Sequence, residues 1–123
     1  MKNRLGIRCL KIEDAWVRLI LSGEKTWEIR RANTRFRGRI GLGNTKTRQC
    51  VGYARIITSF EMPLEGLKRH NDKHRANAFL DQYAKERQTP FVYVLADVEA
   101  EPEPKPYSHS TKDWCRVREE KER

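Results

Sequence analysis

The sequence predicts an α+β domain: a small β-barrel of about five to six strands with two flanking helices. Three observations carry this. The chain has 123 residues, enough for one hydrophobic core and not two. Period-two alternation recurs in five or six short segments. Helical periodicity is confined to two stretches, 12–21 and 72–87. Residues 1–118 are therefore expected to form a single domain, and the charged tail 119–123 is expected to fray.

The elements follow in order. Gly6 to Leu10 alternates weakly and reads as a first strand. From Ile12 to Leu21 the period becomes helical, with Ile12, Ala15, Trp16, Leu19 and Ile20 on one apolar stripe. Glu13 and Asp14 suit the positive end of that helix, and Gly23 suits the left-handed position that ends it. Thr26 to Arg31 reads as a strand with Trp27 and Ile29 on one face and Glu28 and Arg30 on the other. A turn at Ala32-Asn33-Thr34 leads into a strand from Arg35 to Leu42. It would carry Arg35, Arg37 and Arg39 on one face and Phe36 and Ile40 on the opposite one.

A polar loop spans 43–48, and a longer strand runs from Cys50 to Phe60, with Gly52 marking a bulge or a close approach. Pro63 closes it, and a short helical turn covers 64–70. A second amphipathic helix is expected from about Asp72 to Arg87, with Ala76, Phe79, Leu80 and Tyr83 facing inward. Phe91 to Glu99 is the most apolar strand and is placed centrally. The alternate prolines of 101–106 keep that segment extended and unpaired on one side. Residues 113–118 give a last short strand.

Composition bounds the function. No apolar stretch approaches the roughly 18–20 residues that span a bilayer, and the basic N-terminus has no apolar run behind it. A membrane or secreted protein is not expected, and the localisation read from the chain is cytoplasmic. Cys9, Cys50 and Cys115 are too few and too scattered for a disulfide framework and read as small buried hydrophobes.

The net charge is +9, and residues 1–60 hold all of the excess, with 14 Lys or Arg against four acids. Residues 61–123 balance 12 against 13. Ten of the 14 are arginine, and Arg30, Arg31, Arg35, Arg37 and Arg39 fall together with no acid among them. The arginine fork matches phosphate oxygens, so this clustering favours a nucleic acid over an acidic protein, a small anion or mere solubility.

Leu19 to Arg39, LILSGEKTWEIRRANTRFRGR, holds a helix end, then Lys25, Thr26, the strand Trp27-Glu28-Ile29-Arg30, and Arg37-Gly38-Arg39. This block resembles the ASCH domain family of the PUA-like superfamily, whose members show a helix followed by Gly-x-Lys-Thr-x-Glu-x-Arg and an Arg-Gly pair. Gly52, the strand Tyr93 to Val98 and the proline-rich segment ending at Tyr107 suit it too, so the resemblance covers about residues 7–118. It implies a small barrel with a basic cleft beside the motif and a function in RNA or nucleic-acid binding. One branch is a metal-independent amidohydrolase of acetylated cytidine, and another is described as ribonuclease-like. Lys25 matches the amidohydrolase lysine, but Glu28 stands where that branch has threonine. His70, Asn71, Asp72 and His74 occupy the region where it has a glutamate. That activity is not carried over.

Read for their chemistry, Glu28 and Arg30 share a strand face and can exchange charge-assisted hydrogen bonds, with Lys25 close by. The trio is open to three roles: an ion pair bracing the barrel mouth, a ligand contact, or an acid/base pair. His70 and His74 have the spacing of a two-histidine metal site but no third ligand, so neither a metal nor another cofactor is expected. His109, in a polar loop, and Trp114 are candidate base contacts. Trp16 and Trp27 read as core. The binding footprint is then Lys25, Arg30, Arg31, Arg35, Arg37 and Arg39, extended by Lys46 and Arg48, with Glu28 positioning the cations or reading a base edge. RNA is favoured over DNA. The other reading is a small metal-independent hydrolase, a ribonuclease or a modified-nucleoside amidohydrolase, with Lys25 and Glu28 as its acid/base pair. Whether the chain is an enzyme, and its oligomeric state, are not fixed by sequence.

Overall fold

A computed structural model describes the backbone of residues 3–120. One six-stranded sheet organises it: β1 (Asn3–Ile12), β2 (Trp27–Arg30), β3 (Gly38–Asn44), β4 (Gln49–Glu61), β5 (Phe91–Pro106) and β6 (Trp114–Glu120). The order across the sheet is β2-β5-β4-β3-β1-β6. β1 runs parallel to β3, and every other pair is antiparallel. The sheet curls because β4 and β5 slip register at three places, between Cys50 and Gly52, Tyr53 and Arg55, and Ile56 and Thr58. Each bulge sharpens the local twist. The ends approach where Tyr107 bridges Val117 and the Ser108 amide donates to the Arg116 carbonyl at 2.7 Å. The result is the curled, barrel-like α+β architecture expected of the sequence.

Gly52 sits at the first of these slips. A Cβ there would lie 2.7 Å from the Glu99 carbonyl oxygen and 2.7 Å from Leu21 Cδ2, so two strands and a helix meet over a missing side chain. β5 continues without a break through the proline-rich segment. β2 pairs only with Phe91 to Val94, so beyond them β4 is the neighbouring strand in the ladder. Glu119 and Glu120 pair with Arg4 and Asn3 as the end of β6, and the rest of the expected tail lies outside the described residues.

Helix α1 (Asp14–Ser22) ends at Gly23, which adopts the left-handed conformation with φ 86°. Its buried side differs from the expected stripe. Val17 and Ile20 are fully buried, Trp16 and Leu21 pack at the core edge, and Ala15 is exposed. The helix begins only at Asp14, and Ile12 is the end of β1, so Ile12 does not belong to the helix face that Val17 and Ile20 bury.

Two further expectations are corrected. The strand placed from Arg35 begins instead at Gly38, where φ is 124°, so the arginines before it lie in an irregular segment. The helix placed over 72–87 is three short pieces, α3 (Asn71–His74), a 3-10 turn (Asn77–Phe79) and α4 (Asp81–Lys85), preceded by α2 (Leu64–Lys68). Among the described residues there are thus four short helices rather than two. The physical reason is local. A continuous helix would direct the Lys73 and His74 carbonyls to amides one turn on, but Thr26 and Lys25 take them instead, at 2.9 and 2.6 Å. Arg75 turns left-handed with φ 61°, ending α3.

The main core joins Leu10, Ile12, Val17, Ile20, Ile40, Leu42, Ile56, Tyr93 and Leu95 between α1 and the sheet. Leu67, Leu80 and Val92 form a satellite under the short helices. The three cysteines are free and buried, as expected, and they meet in one cluster with Tyr53 and Val117, although 41 and 65 residues separate them in the chain.

Candidate functional site

Lys25 lies two residues past the C-cap of α1, and its amide donates to the Leu19 carbonyl at 3.0 Å. This hook turns its side chain inward, where it is 2% exposed. The ammonium donates to the His74 carbonyl at 2.6 Å, lies 3.5 Å from Glu28 Oε1 and sits 4.8 Å from the centre of the Trp16 ring. Burial pushes its pKa down, and the Glu28 carboxylate partly restores it.

Glu28, 4% exposed, is held on β2 by pairing with Tyr93. Its second oxygen accepts from Arg30 at 3.0 Å. Arg30 also donates to the Lys11 carbonyl at 3.1 Å and pairs with Asp113 at 3.1 Å. Burial opposes the Arg30 charge, but Glu28 and Asp113 together hold its pKa above the ordinary arginine value. One buried carboxylate therefore lies between two cations, and a chain of charges runs from Lys25 to Asp113.

Behind Lys25, the His74 ring is fully buried. Nδ1 accepts from the Ala76 amide at 2.9 Å, so Nε2 carries the proton and donates to the Leu67 carbonyl at 2.6 Å. Both nitrogens are occupied by backbone, which leaves none for a metal. Burial lowers the His74 pKa. His70 packs against Trp27, ring centroids 5.0 Å apart.

The trio opens onto a cleft of about 370 Å³ lined by Lys11, Trp16, Glu28, Arg30, Tyr83 and Asp113 among others. A deeper recess of about 90 Å³ reaches Lys25 and shares Trp16, Glu28, Ile29 and Tyr83 with it. Trp16 and Tyr83 are half-buried walls. Phe79, 62% exposed, meets the Trp16 ring edge-on at 5.3 Å. Arg31 rims the cleft, paired with Glu86 at 2.9 Å and lying 5.2 Å over Tyr83.

Of the expected site residues, Lys25, Glu28, Arg30 and Arg31 are brought together here. Arg35, Arg37 and Arg39 line neither cavity. Arg37 donates to Ser59 and to the Thr34 and Phe36 carbonyls, and Arg39 pairs with Glu99 at 2.7 Å over the Tyr53 ring. Lys46 and Arg48 lie in the exposed β3–β4 turn, with Arg48 and His109 lining an adjoining cavity. Trp114 packs at the core edge. Trp16, Tyr83, Lys11 and Asp113 escaped the sequence reading as site residues. Trp16 carried a signal as a large aromatic on a helix stripe just ahead of the Lys25 motif. Tyr83 carried none, because its position depends on the broken helix.

The model of the ASCH domain matches residues 10–103. Among solved structures, the chain is similar to the crystal structure of an ASCH protein from Zymomonas mobilis, at 21% identity over 76% of this chain and 68% of that one, with a TM-score of 0.60. Two single-residue mutants of that protein align with TM-scores of 0.70 and 0.64, at 17% and 20% identity. Each alignment covers 80% of this chain, and 74% and 72% of the respective mutant chain. No curated protein sequence matches.

Proposed function

The chain belongs to the ASCH domain family, and from that premise we propose that it binds single-stranded RNA, taking one unstacked base into the cleft between Trp16 and Tyr83. The observation that carries this reading is the Glu28–Arg30 pair facing an aromatic-walled cleft of about 370 Å³. That volume lies at the small end of the roughly 300–1,000 Å³ range of small-molecule sites. Single-stranded RNA is read where splayed bases stack on aromatic rings and present their edges to polar side chains. Glu28 is held as an acceptor, Arg30 as a donor, and two rings flank them. Arg31 at the rim is placed for the neighbouring backbone.

The test is a titration of labelled single-stranded RNA and duplex DNA, read by anisotropy at about 50 and 200 mM salt with EDTA present. The expected result is RNA binding that weakens with salt, since neutralised phosphates release counterions. Tyr83→Ala should weaken it by about 5- to 150-fold, the loss of one stacked base being roughly 1–3 kcal/mol. Absence of RNA binding, or full affinity in Tyr83→Ala, would overturn the reading.

One observation favours a second reading, a metal-independent hydrolase of RNA or of a modified nucleoside. Burial lowers the Lys25 pKa, so its ammonium gives up a proton more readily than an ordinary lysine, and Glu28 stands beside it. Cleavage of the same RNA on a denaturing gel, lost in Lys25→Ala with binding retained, would establish it. Activity persisting in both Lys25→Ala and Glu28→Gln would exclude this pair as its acid and base.

A further inference from the structure

The charges around the cleft and around its neighbour are distributed differently. Three cations, Lys11, Arg30 and Arg31, line the main cleft against three carboxylates, Glu13, Glu28 and Asp113, so this space suits an uncharged polar group. A second cavity of about 350 Å³ lies between the β3–β4 turn, the loop after β5 and Arg118 of β6. Lys11, Arg48, Arg118 and His109 line it, and among the described residues no aspartate or glutamate does. Lys11 and Thr45 line both cavities, so the two meet.

The backbone that carries Arg48 is anchored. Asn44, 5% exposed, anchors the turn: its Oδ1 accepts from the Lys46 amide at 2.8 Å, and its Nδ2 donates to Asp14 at 2.7 Å. The Arg48 amide closes the turn onto the Asn44 carbonyl at 2.8 Å, with Arg48 itself left-handed at φ 61°. Lys11 donates to the Ser110 carbonyl at 2.5 Å, tying the strand to the loop. A concave surface on which cations converge attracts an anion, and arginine forks match phosphate oxygens.

We propose that the second cavity is a phosphate subsite, so that the two cavities together take a nucleotide: base in the neutral cleft, phosphate against Lys11 and Arg48. The phosphate is a nucleotide's own, either terminal or a phosphodiester of the strand, rather than free inorganic phosphate. This rests on the reading of the cleft as a base site, and it makes the ligand a phosphorylated nucleoside or an RNA strand, not a bare nucleoside.

The experiment uses calorimetric titration of the full chain with the four ribonucleosides, their 5′- and 3′-monophosphates, inorganic phosphate and a short single-stranded RNA. Arg48→Asn is the variant, because asparagine tolerates the left-handed turn position and preserves the fold. The expected result is about tenfold or greater preference for one monophosphate over its nucleoside, reduced several-fold in Arg48→Asn. Nucleoside affinity should be unchanged in that variant, and the salt dependence of RNA binding should flatten by about one phosphate contact. Equal affinity for nucleoside and monophosphate, or nucleotide and RNA binding indifferent to Arg48→Asn, would overturn the subsite while leaving the base cleft standing. Arg48-dependent binding of inorganic phosphate with no binding of nucleoside or RNA would show the converse: an anion site beside a cleft that takes no base. No Arg48-dependent binding of any phosphate would refute the proposal outright.

Discussion

Glu28→Gln preserves the size and shape of the side chain while removing its charge. The glutamate is 4% exposed and lies 3.5 Å from the Lys25 ammonium and 3.0 Å from the Arg30 guanidinium. The side chains of those partners are themselves 1% and 13% exposed, so water cannot replace the lost carboxylate. Exposed ion pairs contribute roughly 0–1 kcal/mol, whereas breaking a buried pair costs about 3–5 kcal/mol because an uncompensated charge stays behind. Here two cations are left, and the expected loss is about 3–5 kcal/mol. At about 4 °C per kcal/mol for a chain of this size, the melting temperature should fall by roughly 12–20 °C. Lys25 is the group that can yield, since burial already lowers its pKa. Raising the pH should let it shed its proton in the variant, so the deficit should narrow as the pH rises toward the ordinary lysine value of 10.5. Lys25→Met, which removes a cation and leaves Glu28 paired with Arg30, should cost less. Urea unfolding followed by tryptophan fluorescence measures the free energies, and thermal melts measure the melting temperatures. A Glu28→Gln loss below about 1 kcal/mol, or a larger loss in Lys25→Met, would refute the reasoning.

Two further outcomes follow from the same geometry. His74 is buried neutral with both nitrogens bonded to backbone, and its pKa is lowered from 6.5. The unfolded chain therefore binds its proton first on acidification. The stability from His74 is present above about pH 6.5 and is lost as the pH falls toward its folded value. An NMR titration should show the His74 ring charging below pH 6.5, and a midpoint at or above 6.5 would contradict the assignment. Gly52→Ala would place a methyl group 2.7 Å from the Glu99 carbonyl oxygen. It should destabilise by roughly 1–3 kcal/mol in thermal melts, the usual range for overpacking, and an unchanged melting temperature would show that β4 can move.

Local pattern was enough for much of this molecule. The strands alternate because one face of the sheet is buried, Gly23 stops α1 because only a residue at ease with positive φ ends a helix there, and Gly52 marks the close approach. The Lys25–Glu28–Arg30 trio was equally legible, because its members lie within six residues and the strand spacing puts Glu28 and Arg30 on one face with Lys25 close by. The second helical segment misled because apolar periodicity over 72–87 is a local signal, while Thr26 and Lys25 reach in from another part of the chain to take its carbonyls. The arginine run shows the same limit. Sequence proximity suggested one groove, but Arg37 and Arg39 find Ser59 and Glu99 as partners while Arg30 turns to Glu28 and Asp113. What the sequence determined by itself was the family block, the barrel-forming strands and the charged trio, all encoded over short spans. Only the tertiary structure decided that Trp16, Tyr83, Lys11 and Asp113 enclose that trio, and that Lys11, Arg48 and Arg118 converge on a second cavity. Those residues come from distant strands and turns, and only the curl of the sheet brings them together.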